Sequence, residues 1–480
     1  MTITLKSIQL LLLSTCLIAG SMNAQDKREV TIKGFAPSYV GSTISICELS
    51  DYLSSKEAVL ANTTVQADST FSVSFPLNET QRINLIAGRN RSFMYADPGR
   101  TYEIFVPEKD RYEPYRADGN KIELSFISLD SSDINYKLLS FQQWMDEYVA
   151  NYYHLKNVKP IEFVQRMDEF KTIAEQYYSK DPSVFLKTYI KYSVATLDDI
   201  QFAAERNRYE KYDFYLKNAP VFYRNDAYME YMNAFYDRII PRLELETNNR
   251  VYLGVLKSSP SLVMRALGGE VTLSNLRLRE LVMIKALAEE FYSKEFPQTN
   301  IITILDSISK GSMFPEHAQI AGNIRDRLTE LSQGGKAPDF VLKTSAGQMK
   351  TLNSYKGKYL YLHFYDPSKN TNSIELAPLI KLHNTYKDQI QFISILPNKG
   401  YTSVQEEQSI AKIPWDTFRP DDANPIWKTF RVDAFPSYVL IDPFGYIVQA
   451  PALGPMPNGQ YLTIDQTFFF IQQAMTNEKR

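Results

Sequence analysis

Two cysteines and four histidines carry most of the nucleophilic and metal-binding chemistry open to this 480-residue chain. The histidines, His154, His317, His363 and His383, show no metal-ligand spacing among themselves, and no HExxH, GxxxxGK(S/T) or GxGxxG motif occurs. Cys47 stands in the alternating stretch "STISICEL", where a small buried hydrophobe on a strand accounts for it better than a reactive thiol. His363 precedes the hydroxyl-rich "SKNTNS". A Ser or Thr nucleophile paired with it would need a third orienting group, which the sequence does not identify. His363 therefore reads as a buried, hydrogen-bonded histidine.

The elements that would hold these residues fall into three regions. Hydrophobic residues make up 44% and charged residues 22%, a globular balance, and the net charge of −2 gives no global basis for binding nucleic acid or an anionic membrane. Residues 27–116 read as a β-sandwich: "EVTIKGF", "STISICEL" and "TFSVSFPL" alternate with period 2, and "MYADPGRTYEIFV" sets two strands around Asp97-Pro98-Gly99. Past the charged junction "EKDRYEPYRADGN", residues 121–332 carry apolar positions at i, i+3, i+4 and i+7, the pattern of an all-α domain of eight to ten helices. Pro160, Pro182, Pro220, Pro260, Pro297 and Pro315 punctuate it, several at first-turn positions. "QGGKAPDF" then opens residues 334–480, where the strand "YLYLHFY", the helix "SIELAPLIKLHNTYK" and the strand "QFISIL" predict a parallel α/β unit covered on both faces.

Residues 1–24 have one early lysine, an apolar run and small residues ending at Ala24, the layout of a secretory signal cleaved before Gln25. "LSTC" offers a competing lipoprotein box, in which Cys16 would become the acylated first residue. No later segment reaches the length needed to span a bilayer.

The last region carries a resemblance. "KAPDFVLKTSAGQMKTLNSYKGKYLYLHFY" resembles the opening of exported thioredoxin-like proteins of the TlpA type, and "FRVDAFPSYVLIDPFGYIV" resembles the family segment in which a cis-proline precedes an antiparallel hairpin. The resemblance covers about residues 334–475. It implies a C-terminal thioredoxin-like fold, preceded by the β-sandwich and the all-α domain, with Pro436 as the cis-proline and Asp442-Pro443-Phe444-Gly445 as the hairpin turn. The family's cis-proline loop helps to bind extended polypeptide, so Ala434, Phe435 and Pro436, with Tyr365 and Asp366 from the facing loop, would border a binding groove.

The same alignment of landmarks locates a loss. The two cysteines of the redox loop would fall at Lys369 and Asn372. Thiol–disulfide exchange needs one thiolate at a helix N-terminus and a second thiol to resolve the mixed disulfide, and lysine can do neither. A second register resembles the P-x-x-x-T-x-x-C loop of peroxiredoxins, with Pro367 and Thr371 in place, but sets Ile374 at the nucleophile. Neither register holds a sulfur atom. Asn372 with Glu375 has capping-box spacing, Asp366 before Pro367 is the other candidate cap, and Pro378 should kink the helix.

The expectation is an exported protein of the periplasm or cell envelope, redox-inactive at the usual site and without catalytic residues, cofactor or metal, that acts as a protein- or ligand-binding module, with an envelope protein or an extended polypeptide as partner. The alternative is a thiol–disulfide oxidoreductase that uses Cys47 or a partner's thiol.

Overall fold

The computed structural model describes residues 27–88, 90–108, 120–200, 207–293, 295–344, 347–368, 370–398, 404–420, 424–432, 434–457 and 462–477. The expected leader, Cys16 and Lys369 lie outside them.

Nine strands come first: β1 (Arg28–Phe35), β2 (Thr43–Leu49), β3 (Glu57–Thr64), β4 (Thr70–Leu77), β5 (Gln81–Ala87), β6 (Asn90–Ala96), β7 (Thr101–Phe105), β8 (Asn120–Lys121) and β9 (Ser125–Ser128). They form two sheets, β4-β1-β7-β9 and β3-β2-β5-β6-β8. The alternation in β4 becomes strict exposed–buried alternation, and Phe71, Val73 and Phe75 join Ile32, Ile46, Leu85 and Ile104 in one core between the sheets. Close packing reaches Gly34, where an added Cβ would stand 2.1 Å from the Phe71 ring. The sheets run past the expected limit of residue 116, because β8 adds to β6 and β9 adds to β7. A two- or four-residue strand has too few positions to display a period, so only its distant partner reveals it.

Eleven α-helical segments follow among the described residues: α1 (Ile134–Tyr152), α2 (Leu155–Val158), α3 (Pro160–Tyr178), α4 (Val184–Ala195), α5 (Arg208–Lys211), α6 (Asp226–Phe235), α7 (Leu245–Leu256), α8 (Pro260–Leu267), α9 (Leu276–Glu289), α10 (Gln298–Gly311) and α11 (Pro315–Thr329). The number exceeds eight to ten because α2 and α5 are single turns of four residues. Helix formation begins at Ile134, not near residue 121. Pro160, Pro260 and Pro315 each occupy the first helical position, where the missing N–H costs no hydrogen bond. Ser183, Asn225, Ser259 and Asn275 cap α4, α6, α8 and α9 with side-chain oxygens. Tyr95 of β6 joins the apolar cluster of α1, α3 and α4. Asn135 bonds its backbone twice, at 2.8 Å each, in the manner of a strand neighbour.

The last region holds β10 (Val341–Lys343), β11 (Met349–Thr351), β12 (Tyr359–Phe364), α12 (Asn370–Tyr386), β13 (Ile390–Ile395), α13 (Val404–Ala411), β14 (Asp416–Phe418), α14 (Ile426–Thr429), β15 (Ser437–Ile441), β16 (Ile447–Gln449) and α15 (Ile464–Asn477). Its five-stranded sheet has the order β14-β13-β12-β15-β16. β12, β13 and β14 are parallel, β15 pairs antiparallel with β12, and β16 pairs antiparallel with β15. Alternate residues of β12 feed two cores: Leu360, Leu362 and Phe364 enter one face, and Tyr361 the other, against Leu379 and Phe468. The β15–β16 turn is closed by Asp442, whose Oδ1 accepts from Phe444 N (2.9 Å) and Tyr446 N (2.8 Å), with Gly445 at φ +92°. Among the described residues no helix is long and apolar enough to cross a membrane.

Candidate functional site

β12 holds His363 within the sheet, and Tyr365 and Asp366 follow its end on the way to α12. In register, His363 lies between Ser394 of β13 and Tyr438 of β15. The three make a polar row across the interior of an otherwise apolar sheet. The Ser394 hydroxyl takes the Trp415 indole N–H at 2.8 Å and shares a 2.9 Å hydrogen bond with His363 Nδ1. The imidazole stacks on the Tyr438 ring, 5.2 Å between centroids and 7° between planes. With 1% of its surface exposed and no counter-charge, His363 is pushed down to a pKa of about 3 by burial, which keeps it neutral. It is a buried core histidine whose hydroxyl partner, Ser394, is itself 0% exposed and also bonded by Trp415.

The expected groove residues divide. Ala434 is exposed, and Phe435 and Pro436 are half-buried around a cis peptide bond, so this loop reaches the surface. Phe435 sets its ring edge-on to Trp427 of α14, 6.0 Å away. Tyr365 and Asp366 do not border a groove: both are 0% exposed. They follow directly on the end of β12 at Phe364 and stay buried, and Asp366 accepts from Ser368 N (3.1 Å) and Ser368 Oγ (2.8 Å).

The start of α12 also differs from expectation. The helix begins at Asn370, so Asn372 lies within its first turn and Asp366 stands four residues before it; neither is the residue that flanks the first turn. Glu375 accepts from Tyr438 OH at 2.5 Å. This bond ties α12 to β15. Burial, the neighbouring Tyr361 and the Glu375 carboxylate push the Tyr438 hydroxyl far above the usual phenol range. Pro378 does lie inside the helix.

Cys47 is buried on β2, with 3% exposure, at a register irregularity with β3. Burial first, and the Glu57 carboxylate second, push its thiol up, away from the thiolate form. Sequence reasoning missed the group around it. Glu57 on β3 receives Arg91 Nη1 at 2.9 Å and Nη2 at 2.6 Å, Asn84 Nδ2 at 3.2 Å and, from α14, Lys428 Nζ at 2.9 Å. Despite its burial, the Arg91 and Lys428 hydrogen bonds hold Glu57 below the usual carboxylate range. Arg431 bonds Glu330 at 2.8 Å and the Arg327 carbonyl, joining the last region to the end of α11. No local signal marks these residues, because the partners stand up to 371 positions apart.

Among the described residues no three His, Cys, Asp or Glu side chains converge as a metal site requires. The chain matches no protein-family model. It is 25% identical over 122 residues to Thioredoxin-like protein YneN of Bacillus subtilis (strain 168), a match covering 24% of this chain and 69% of that protein. Among solved structures, the thioredoxin domain of a thiol-disulfide oxidoreductase from Bacteroides vulgatus is 20% identical, with a TM-score of 0.25, covering 30% of this chain and 97% of that one. A thioredoxin-like protein from Bacteroides caccae is 11% identical, with a TM-score of 0.30, covering 61% of this chain and 95% of the other. The relatives of this chain are thioredoxin-like proteins, and the mixed sheet beside a cis-proline in its last region agrees with that likeness.

Proposed function

We propose that this chain is an exported thioredoxin-like protein that has abandoned thiol–disulfide chemistry and binds an extended polypeptide of the cell envelope against the loop Ala434–Phe435–Pro436. The carrying observation is the distribution of sulfur: the only cysteines are Cys16, in the leader-like segment, and Cys47, on a strand at the wall of a cavity, 3% exposed and with its thiol pushed up. A sheltered, protonated thiol neither attacks a disulfide nor resolves one. The half-buried Phe435 and exposed Ala434 supply an apolar surface beside backbone groups, which suits an extended chain better than a compact ligand. The secretory layout of residues 1–24 supports export.

The test uses a reduced, carboxymethylated polypeptide as probe, because no disulfide exchange can hold it. Fluorescence anisotropy should show binding to the wild type and loss of binding in Ala434→Arg, a change at an exposed position. Unchanged binding in that variant would refute the assignment of this loop. An alkylating reagent that modifies Cys47 as fast in the native chain as in the denatured one would favour the oxidoreductase alternative.

A further inference from the structure

A cavity of about 1180 Å³ opens where the three regions of the chain meet. One wall is the outer face of the β3-β2-β5-β6-β8 sheet, a second is the end of α11, and the third is α14 with the residues that follow it. Its walls carry six cations, Lys56, Arg82, Arg91, Arg327, Lys428 and Arg431, against three carboxylates, Glu57, Asp326 and Glu330.

The carboxylates are already engaged. Glu57 is held by Arg91 and Lys428, and Glu330 by Arg431. Asp326 pairs at 2.6 Å with Arg325, which is outside the wall. Two cations are left with neutral partners among the described residues. Arg327 Nη1 donates to the carbonyls of Leu53 (3.2 Å) and Ser54 (3.0 Å), and Lys56 Nζ donates to Asn323 Oδ1 at 3.0 Å. Burial, and then the like charge of Arg431, hold Arg327 below the usual guanidinium range. A guanidinium has five donors in a planar fork, and two carbonyls use only part of them. Val59, Ile86 and Trp427 give the same cavity an apolar side.

We infer that this junction is a binding site for a small organic anion, a carboxylate or phosphate group carried on an apolar body, held by Arg327 and Lys56. The resident Glu57 shows that a carboxylate is stable there when several donors converge on it. A charge-assisted hydrogen bond to a half-buried guanidinium is the strong form of such an interaction, although the buried Asp51 carboxylate, held by Ser54 and Asn323, offsets part of the Arg327 charge. An anion bound to Arg327 would touch walls from all three regions and would therefore stabilise the whole chain by linkage.

The experiment is calorimetric titration of the full chain at fixed ionic strength with phenyl phosphate, phenylacetate and, as the uncharged control, benzyl alcohol. Binding of phenyl phosphate or phenylacetate identifies the anionic group the site takes; benzyl alcohol should give no heat. Lys56→Glu lies at an exposed position and should fold. It should weaken binding by at least about tenfold, the equivalent of one lost charge contact. Glu57→Gln removes the resident negative charge and should tighten binding several-fold, a change that a merely structural role for Glu57 would not produce. Failure of both anions to bind at millimolar concentration, equal binding of benzyl alcohol, or indifference to Lys56→Glu and Glu57→Gln would overturn the assignment.

Discussion

The loop at the end of β12 and the junction around Glu57 are built in opposite ways. In the first, polar groups turn inward and satisfy one another: Asp366 holds Ser368, His363 and Trp415 share Ser394, and Tyr438 reaches Glu375. In the second, cations from distant parts of the chain converge with fewer carboxylates to meet them. At the first place the described polar groups are buried and engaged with one another. The charged surface that could meet a small ligand lies where no motif points. Position in a fold names a candidate site, and the unmet chemistry of the side chains decides whether anything happens there.

That contrast can be broken from either side. The largest stability effect belongs to Glu57→Ala, which strips Arg91 of its bidentate partner and should cost about 3 kcal/mol in chemical denaturation. Next comes His363→Phe, which keeps a ring between Tyr365 and Tyr438. Burial lowers the folded pKa of His363 from 6.5 to about 3, so protons favour the unfolded chain. Its contribution is complete above pH 6.5 and fades as pH falls toward 3. The wild type should lose about 2 kcal/mol more than the variant between pH 6.5 and 5, at about 1.4 kcal/mol per unit. Equal acid limbs in the two proteins would show that the row across the sheet is hydrated. Lys428→Ala removes the exposed end of the Glu57 cluster, and because its side chain is 74% exposed the cost should stay under about 1 kcal/mol. Ala434→Arg should shift stability by less than about 0.5 kcal/mol while abolishing polypeptide binding.

Much of this architecture was legible in the residues themselves. The alternation of "TFSVSFPL", the proline-opened helices and the aromatic strand "YLYLHFY" each express a local period that the structure keeps. The cis bond before Pro436 was expected from the family resemblance alone, whereas the Asp442 turn is a local feature of a few adjacent residues. β8 and β9 escaped notice because they are too short to show a period. Tyr365 and Asp366 were misjudged as surface residues, since sequence shows where a strand ends in polarity but not how deep its end lies. The junction was invisible for a stronger reason. Glu57 and Lys428, or Asp51 and Asn323, meet only through tertiary packing, and no spacing rule relates them.

The central claim is that a thioredoxin-like fold persists here without its sulfur chemistry, and reduction of insulin disulfides by the purified chain in the presence of dithiothreitol tests it most directly. The account predicts turnover no faster than dithiothreitol alone, unchanged by Cys47→Ser. Turnover well above that background, abolished by Cys47→Ser, would contradict it.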